Sequence, residues 1–111
     1  MICAGAGVIG DFLNYLTYEK NVSINTVEAY RSDLESFITF LTDDYLTIAR
    51  DQLDWTTIDH LTIRAYLAHL ARKKMSRAST ARHLSALRSL FKYLMREGVV
   101  DKNPARVVAT P

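Results

Sequence analysis

Apolar residues recur along this chain at helical spacing and nowhere alternate in the manner of a half-buried strand. Ile9, Phe12, Leu13 and Leu16 follow the i, i+3, i+4, i+7 rhythm and predict a first helix from Ile9 to about Asn21. Asn25 has the character of an N-cap, with Glu28 placed to complete a capping box and Ile24 as the apolar residue just ahead. The helix it opens carries Val27, Tyr30, Leu34, Phe37, Ile38 and Leu41 on one side and ends near Asp43 and Asp44. Tyr45 to Thr57 lacks a clear period and is expected to be a loop with one irregular turn, anchored by Trp55. A third helix, capped by Thr57 or Asp59, buries Ile63, Tyr66, Leu67 and Leu70. Its end at Arg72-Lys73-Lys74 places cations where the helix dipole favours them.

The fourth helix, from Ser76 to Gly98, has two unlike faces. Leu84, Leu87, Phe91, Leu94 and Met95 form its apolar stripe, with Ser76 as the cap. Gly98 supplies a left-handed stop, and Val99 folds back on the last turn. Asn103-Pro104 blocks further helix. The fold class that follows is all-α, a compact four-helix orthogonal bundle. Residues 1–8 are expected to be a flexible leader, 9–103 the folded domain, and 104–111 the start of a linker.

Charge changes this picture. The net charge of +2 hides a segregation: residues 1–55 carry three basic and nine acidic side chains, and residues 56–111 carry eleven basic and three acidic. Fields are screened over about 8–10 Å, so a partner meets the local charge and not the whole-chain value. On the fourth helix Arg82, Ser85, Arg88, Ser89, Lys92 and Arg96 fall within an arc of roughly 120° at 100° per residue. No acid interrupts this stripe before Glu97. Solvated faces normally mix signs so that i, i+4 pairs form. A cationic, hydroxyl-bearing face suits a polyanion, and a helix fits the major groove of double-stranded DNA.

Helix starts add a second set of contacts, because their free N–H groups and partial positive charge favour phosphate. Ser23, Asn25 and Thr26 open the second helix, and Ser76, Arg77 and Ser79 the fourth. Capping alone accounts for Asn25 and Ser76. It accounts less well for Arg77 and for the preceding Lys73 and Lys74.

Other chemistry is not supported. Gly5-Ala6-Gly7-Val8-Ile9-Gly10 spells a dinucleotide-binding fingerprint, but no strand precedes it and helices follow, so it is read as leader. His60, His69 and His83 have no metal-like spacing, and His83 falls on the apolar side as a core or boundary residue. No catalytic constellation can be nominated, and neither a cofactor nor a metal is expected. Cys3 is the single cysteine, which excludes a disulfide-stapled scaffold. No apolar run approaches the ~18 residues of a membrane span, and no basic region introduces a signal peptide. A cytoplasmic protein without membrane partners is the expectation.

Three ordered motifs then resemble one family. Ser23-Ile24-Asn25-Thr26-Val27-Glu28-Ala29-Tyr30-Arg31-Ser32-Asp33-Leu34 is similar to the S-x-x-T-x-x-x-Y-x-x-D-L pattern of tyrosine recombinases, the phage integrase and Xer group. Ser79, Arg82, Leu84-Ser85-Ala86-Leu87-Arg88, Phe91 and Leu94 match its S-x-x-R-x-L-S-A-L-R-x-x-F-x-x-L signature, and Asn103-Pro104-Ala105 its N-P-A. The resemblance covers about residues 9–111 and implies the N-terminal core-binding domain, a SAM-like bundle that grips a recombination half-site. It implies that Arg82, Ser85 and Arg88 face bases or phosphates, while Thr26 and Ser79 hold the backbone. Lys73, Lys74, Arg77, Lys92 and Arg96 complete the candidate DNA-binding set. The family's arginine–lysine–histidine–arginine set and tyrosine nucleophile belong to a C-terminal domain that this sequence does not contain; Tyr93 is no substitute. The resemblance also implies other recombinase protomers as partners of the full-length protein. Two alternatives stay open on the residues alone: a helical DNA-binding domain of a transcription regulator, and a protein-interaction module with a basic face.

Overall fold

The structure is a computed structural model, and it describes residues 7–109. Most of the expected leader, including Cys3 and Gly5, lies outside the described residues. Four α-helices carry the chain: α1 (Gly7–Tyr18), α2 (Ile24–Thr39), α3 (His60–Arg72) and α4 (Arg77–Arg96). No strand occurs among the described residues, in agreement with the all-α reading. No helix among them is long and apolar enough to cross a membrane. The chain divides into two compact units at Asp54/Trp55.

In the first unit α1 packs on α2. The predicted stripe Ile9, Phe12, Leu13 and Leu16 is buried, joined by Val8. The helix begins two residues earlier than expected, so Gly7 and Gly10 of the glycine-rich run lie inside α1. It stops at Tyr18, and Asn21 takes a left-handed backbone (φ 53°) that turns the chain toward α2. Asparagine tolerates that region better than most residues.

The cap of α2 is Ser23 and not Asn25. Its Oγ accepts the Thr26 backbone N–H at 3.3 Å, so the helix opens one residue before Asn25. Ile24 is 66% exposed and staples nothing. Glu28 pairs instead with Arg31 at 3.3 Å, a rim contact between two exposed side chains. Val27, Leu34, Phe37 and Ile38 are buried as expected, while Tyr30 is only half-buried.

The helix does not end at Thr39 but widens. Phe40–Tyr45 forms a π-helical turn, with the Leu46 N–H donating to Leu41 O at 2.8 Å. The Thr42 hydroxyl donates to Ile38 O at 2.9 Å, and Phe40 stacks on Tyr45 with ring centroids 5.5 Å apart. The wider turn narrows the arc over which consecutive side chains spread, and Phe40, Leu41 and Thr42 are all buried. The loop expected from Tyr45 to Thr57 holds two short 3-10 turns, Arg50–Gln52 and Trp55–Thr57. Leu53, Trp55 and Ile58 anchor that stretch, whereas the sequence pointed to Trp55 alone.

The second unit is built on α3 and α4, which pack together. Asp59, not Thr57, caps α3: its Oδ1 accepts the Thr62 backbone N–H at 3.0 Å and the Thr62 hydroxyl at 3.1 Å. That N–H bond is the main reason its carboxyl is held below the usual range. Ile63, Tyr66, Leu67 and Leu70 face inward. Trp55 meets Phe91 edge-on, with centroids 5.8 Å apart. His83 is buried, as its place on the apolar side of α4 implied, and its Nδ1 lies 2.9 Å from the Tyr66 hydroxyl.

Two matching turns close α3 and α4. At the end of α4 the Gly98 N–H donates to Met95 O at 3.1 Å and the Val99 N–H to Leu94 O at 2.9 Å, with Gly98 at φ 76°. This is the Schellman arrangement that the glycine predicted. At the end of α3 the Lys74 N–H donates to Ala71 O at 2.9 Å and the Met75 N–H to Leu70 O at 3.2 Å. Lys74 occupies the glycine position there, at φ 59°.

Candidate nucleic-acid interface

α4 sorts its residues sharply. Leu84, Ala86, Leu87, Leu90, Phe91 and Leu94 are buried, while Arg77, Arg82, Ser85, Lys92 and Arg96 are exposed. Met95, expected on the apolar stripe, is 44% exposed in the last turn of the helix. Lys73 and Lys74 are exposed in the turn just before α4, and Ser79 is half-buried in its first turn. These residues all belong to the second unit.

The start of this helix has an unusual charge order. Ser76 caps it, its Oγ accepting the Ser79 N–H at 3.1 Å. The positive end of a helix favours acids, and like charge there costs about 0.3–1 kcal/mol. Yet the first turn of α4 has no acid and begins with Arg77, preceded by Lys73 and Lys74. Helix dipole, free N–H groups and side-chain cations therefore add at one place. The far end of the stripe is weaker, since Arg96 Nε lies 3.5 Å from Glu97 Oε2.

Arg88 does something else. It is half-buried, and its Nε donates to Ala105 O at 3.1 Å while one terminal nitrogen donates to Val108 O. In return the Asn103 side-chain amide donates to Arg88 O at 3.1 Å, and Asn103 Oδ1 accepts the Ala105 N–H at 3.1 Å. The segment expected to begin a linker is thus fastened to α4 as far as Val108, with Ala105 and Val108 buried. Sequence reasoning used Asn103 as a helix stop and as part of the N-P-A motif, with no role for its side chain. The signal it offered was the Asn-Pro pair, since asparagine readily bonds backbone two residues on.

Thr26 belongs to the first unit. It is exposed in the first turn of α2, and its hydroxyl accepts from the Ser23 hydroxyl at 3.1 Å. No group of three potential metal ligands occurs among the described residues. A cleft of about 750 Å³ lies beside the end of α4, lined by Trp55, Ile58, Met95, Val100, Pro104 and Val107 among others.

The sequence pattern that defines the phage integrase N-terminal SAM-like domain matches residues 9–98. Tyrosine recombinase XerC of Leptospira interrogans serogroup Icterohaemorrhagiae serovar copenhageni is 43% identical over 101 residues, covering 90% of this chain and 30% of that protein. Tyrosine recombinase XerC of Pelotomaculum thermopropionicum is 39% identical over 108 residues (93% and 33%), and that of Natranaerobius thermophilus 40% over 101 (91% and 32%). This chain therefore spans about a third of the length of these relatives. What it holds is the N-terminal SAM-like domain and not the catalytic part of such proteins. The chain belongs to the phage integrase N-terminal SAM-like domain family.

Proposed function

We propose that this domain binds double-stranded DNA as the core-binding part of a cytoplasmic site-specific tyrosine recombinase, holding a recombination half-site while other parts of the full-length protein cut and exchange strands. The observation that carries the reading is the acid-free cationic start of α4, where Lys73, Lys74 and Arg77 adjoin the helix N-terminus. Arg82, Ser85 and Lys92 extend it along one exposed face, with Arg96 at its end. Arginine can read guanine in the major groove, and lysine at a helix start meets phosphate as a point charge. Ser79 and Thr26 add hydroxyls for phosphate, Thr26 counted separately because it lies in the other unit. Arg88 is left out of this face because its guanidinium is turned to the protein's own carbonyls. The names of the relatives support a role in recombination.

The contribution of such a domain is positioning. With few phosphate contacts it binds a generic duplex weakly, at roughly 10⁻⁴–10⁻⁶ M. The test is an NMR titration of the labelled domain with a generic duplex at two salt concentrations. Expected are shifts in the 72–79 turn and along the exposed face of α4, suppressed by salt and reduced in Arg82→Ala. An absence of shifts at low salt would turn the charge segregation over to a protein partner and end the DNA reading.

A further inference from the structure

We infer that Arg88 is a positioning residue: it fixes the direction in which the chain leaves this domain. The candidate set drawn from the sequence placed it on the DNA face, in register with Arg82, Lys92 and Arg96. Its side chain is instead the hub of a lock on residues 103–108. Four hydrogen bonds meet there. Two run from the guanidinium to the carbonyls of Ala105 and Val108, one from the Asn103 amide to the Arg88 carbonyl, and one from the Ala105 N–H to Asn103 Oδ1.

The chemistry requires arginine. The two acceptors lie three residues apart, and the segment between them is itself turned, with the Arg106 N–H donating to Asn103 O at 3.2 Å and the Val108 N–H to Ala105 O at 3.4 Å. A planar fork with several fixed donors spans two such carbonyls at once. A lysine ammonium brings the same charge to a single point and cannot reproduce that reach. Ala105 and Val108 are also buried, which holds the same segment by its apolar side chains. Residue 109 therefore departs from a fixed place on α4. The relatives are about three times as long as this chain, so in a longer protein whatever follows is delivered from that point.

Only the statement that Arg88 stays off the duplex rests on the DNA reading; the lock itself does not. The experiment is ¹⁵N relaxation and hydrogen exchange on the 111-residue chain, first without DNA. In the wild type, the Arg106 and Val108 amides should be protected, with order parameters near about 0.85. Arg88→Lys, which keeps the charge, should drop residues 105–109 below about 0.6 and leave the resonances of α1 and α2 in place. Asn103→Ala cuts the other side of the lock without touching a cation and should loosen the same residues. It decides the question alone if Arg88→Lys fails to fold. On adding duplex, the Arg88 Nε–H signal should stay put while Arg82 responds, and Arg88→Lys should bind within about threefold of wild type. Tail order unchanged in the variants, or an Arg88 signal that moves with Arg82, would overturn the inference. If the wild type binds no duplex, the DNA reading fails and the tail measurements still decide the lock.

Discussion

Lys74→Gly should make the domain more stable and a weaker DNA binder at the same time. Lys74 sits at φ 59° in the turn that closes α3, the position that Gly98 fills in the equivalent turn after α4. A side chain in the left-handed region crowds its own backbone, at roughly 1–2 kcal/mol. Glycine removes that strain, but its freedom in the unfolded chain takes back about 0.4–1 kcal/mol. The net gain should be roughly 0.5–1 kcal/mol, or a rise in Tm of about 2–6 °C for a domain of this size. The same change deletes an exposed cation next to the start of α4. If Lys74 meets a phosphate, the slope of log affinity against log salt should become shallower by about 0.9.

Lys74→Ala is the control, because alanine keeps the strained backbone and loses the charge. It should match the glycine variant in salt slope and show none of its gain in Tm. Thermal melts and binding isotherms at three salt concentrations give both numbers. A glycine variant no more stable than wild type would show that the turn stores no strain. An unchanged salt slope in both variants would remove Lys74 from the DNA face.

Two further outcomes follow from the second unit. The Asp59 carboxyl is lowered chiefly by the Thr62 N–H it accepts, so its stabilisation is full above the ordinary carboxylate range and fades as pH falls through its lowered value. Asp59→Asn keeps the cap but not the charge, so the wild type should melt higher at neutral pH and the gap should close as pH falls through the lowered value; a gap independent of pH would refute the assignment. Tyr66→Phe removes the hydroxyl 2.9 Å from the buried His83 Nδ1 and should destabilise by about 1–3 kcal/mol in urea melts, whereas a neutral result would mean the pair is not formed.

Periodicity carried most of the fold because burial in a helical protein repeats with the helix. The apolar positions of α1, α3 and α4 are inward almost without exception, and Ser76 and Gly98 have the local geometry that their chemistry prefers. What the pattern missed depends on competition between near-equal local choices. Ser23 and Asn25 are both good caps, and the helix starts on Ser23, two residues after the left-handed Asn21. The π-helical turn after Thr39 buries three consecutive residues, Phe40, Leu41 and Thr42, a pattern that a 3.6-residue period does not predict. Leu53 and Ile58 went unread because isolated apolar residues in an aperiodic stretch carry no period.

The exposed face of α4 was legible for a different reason, and the departure at Arg88 is informative. Angular position on α4 placed Arg82, Ser85, Lys92 and Arg96 on the exposed side correctly, because exposure follows rotation about the helix axis. It placed Arg88 in the same arc, but a guanidinium reaches several bonds beyond its Cα and takes the acceptors it finds. The carbonyls of Ala105 and Val108 reach Arg88 only when the chain after Asn103 folds back on α4, a long-range event that helix geometry does not encode. At the start of α4 Arg77 opposes that helix's dipole, while Lys73 and Lys74 sit at the end of α3, where the dipole favours them. The dipole of α4 thus disfavours a cation at Arg77 and favours one at Arg96. On the DNA reading proposed above, a phosphate beside this exposed corner offsets the cost at Arg77.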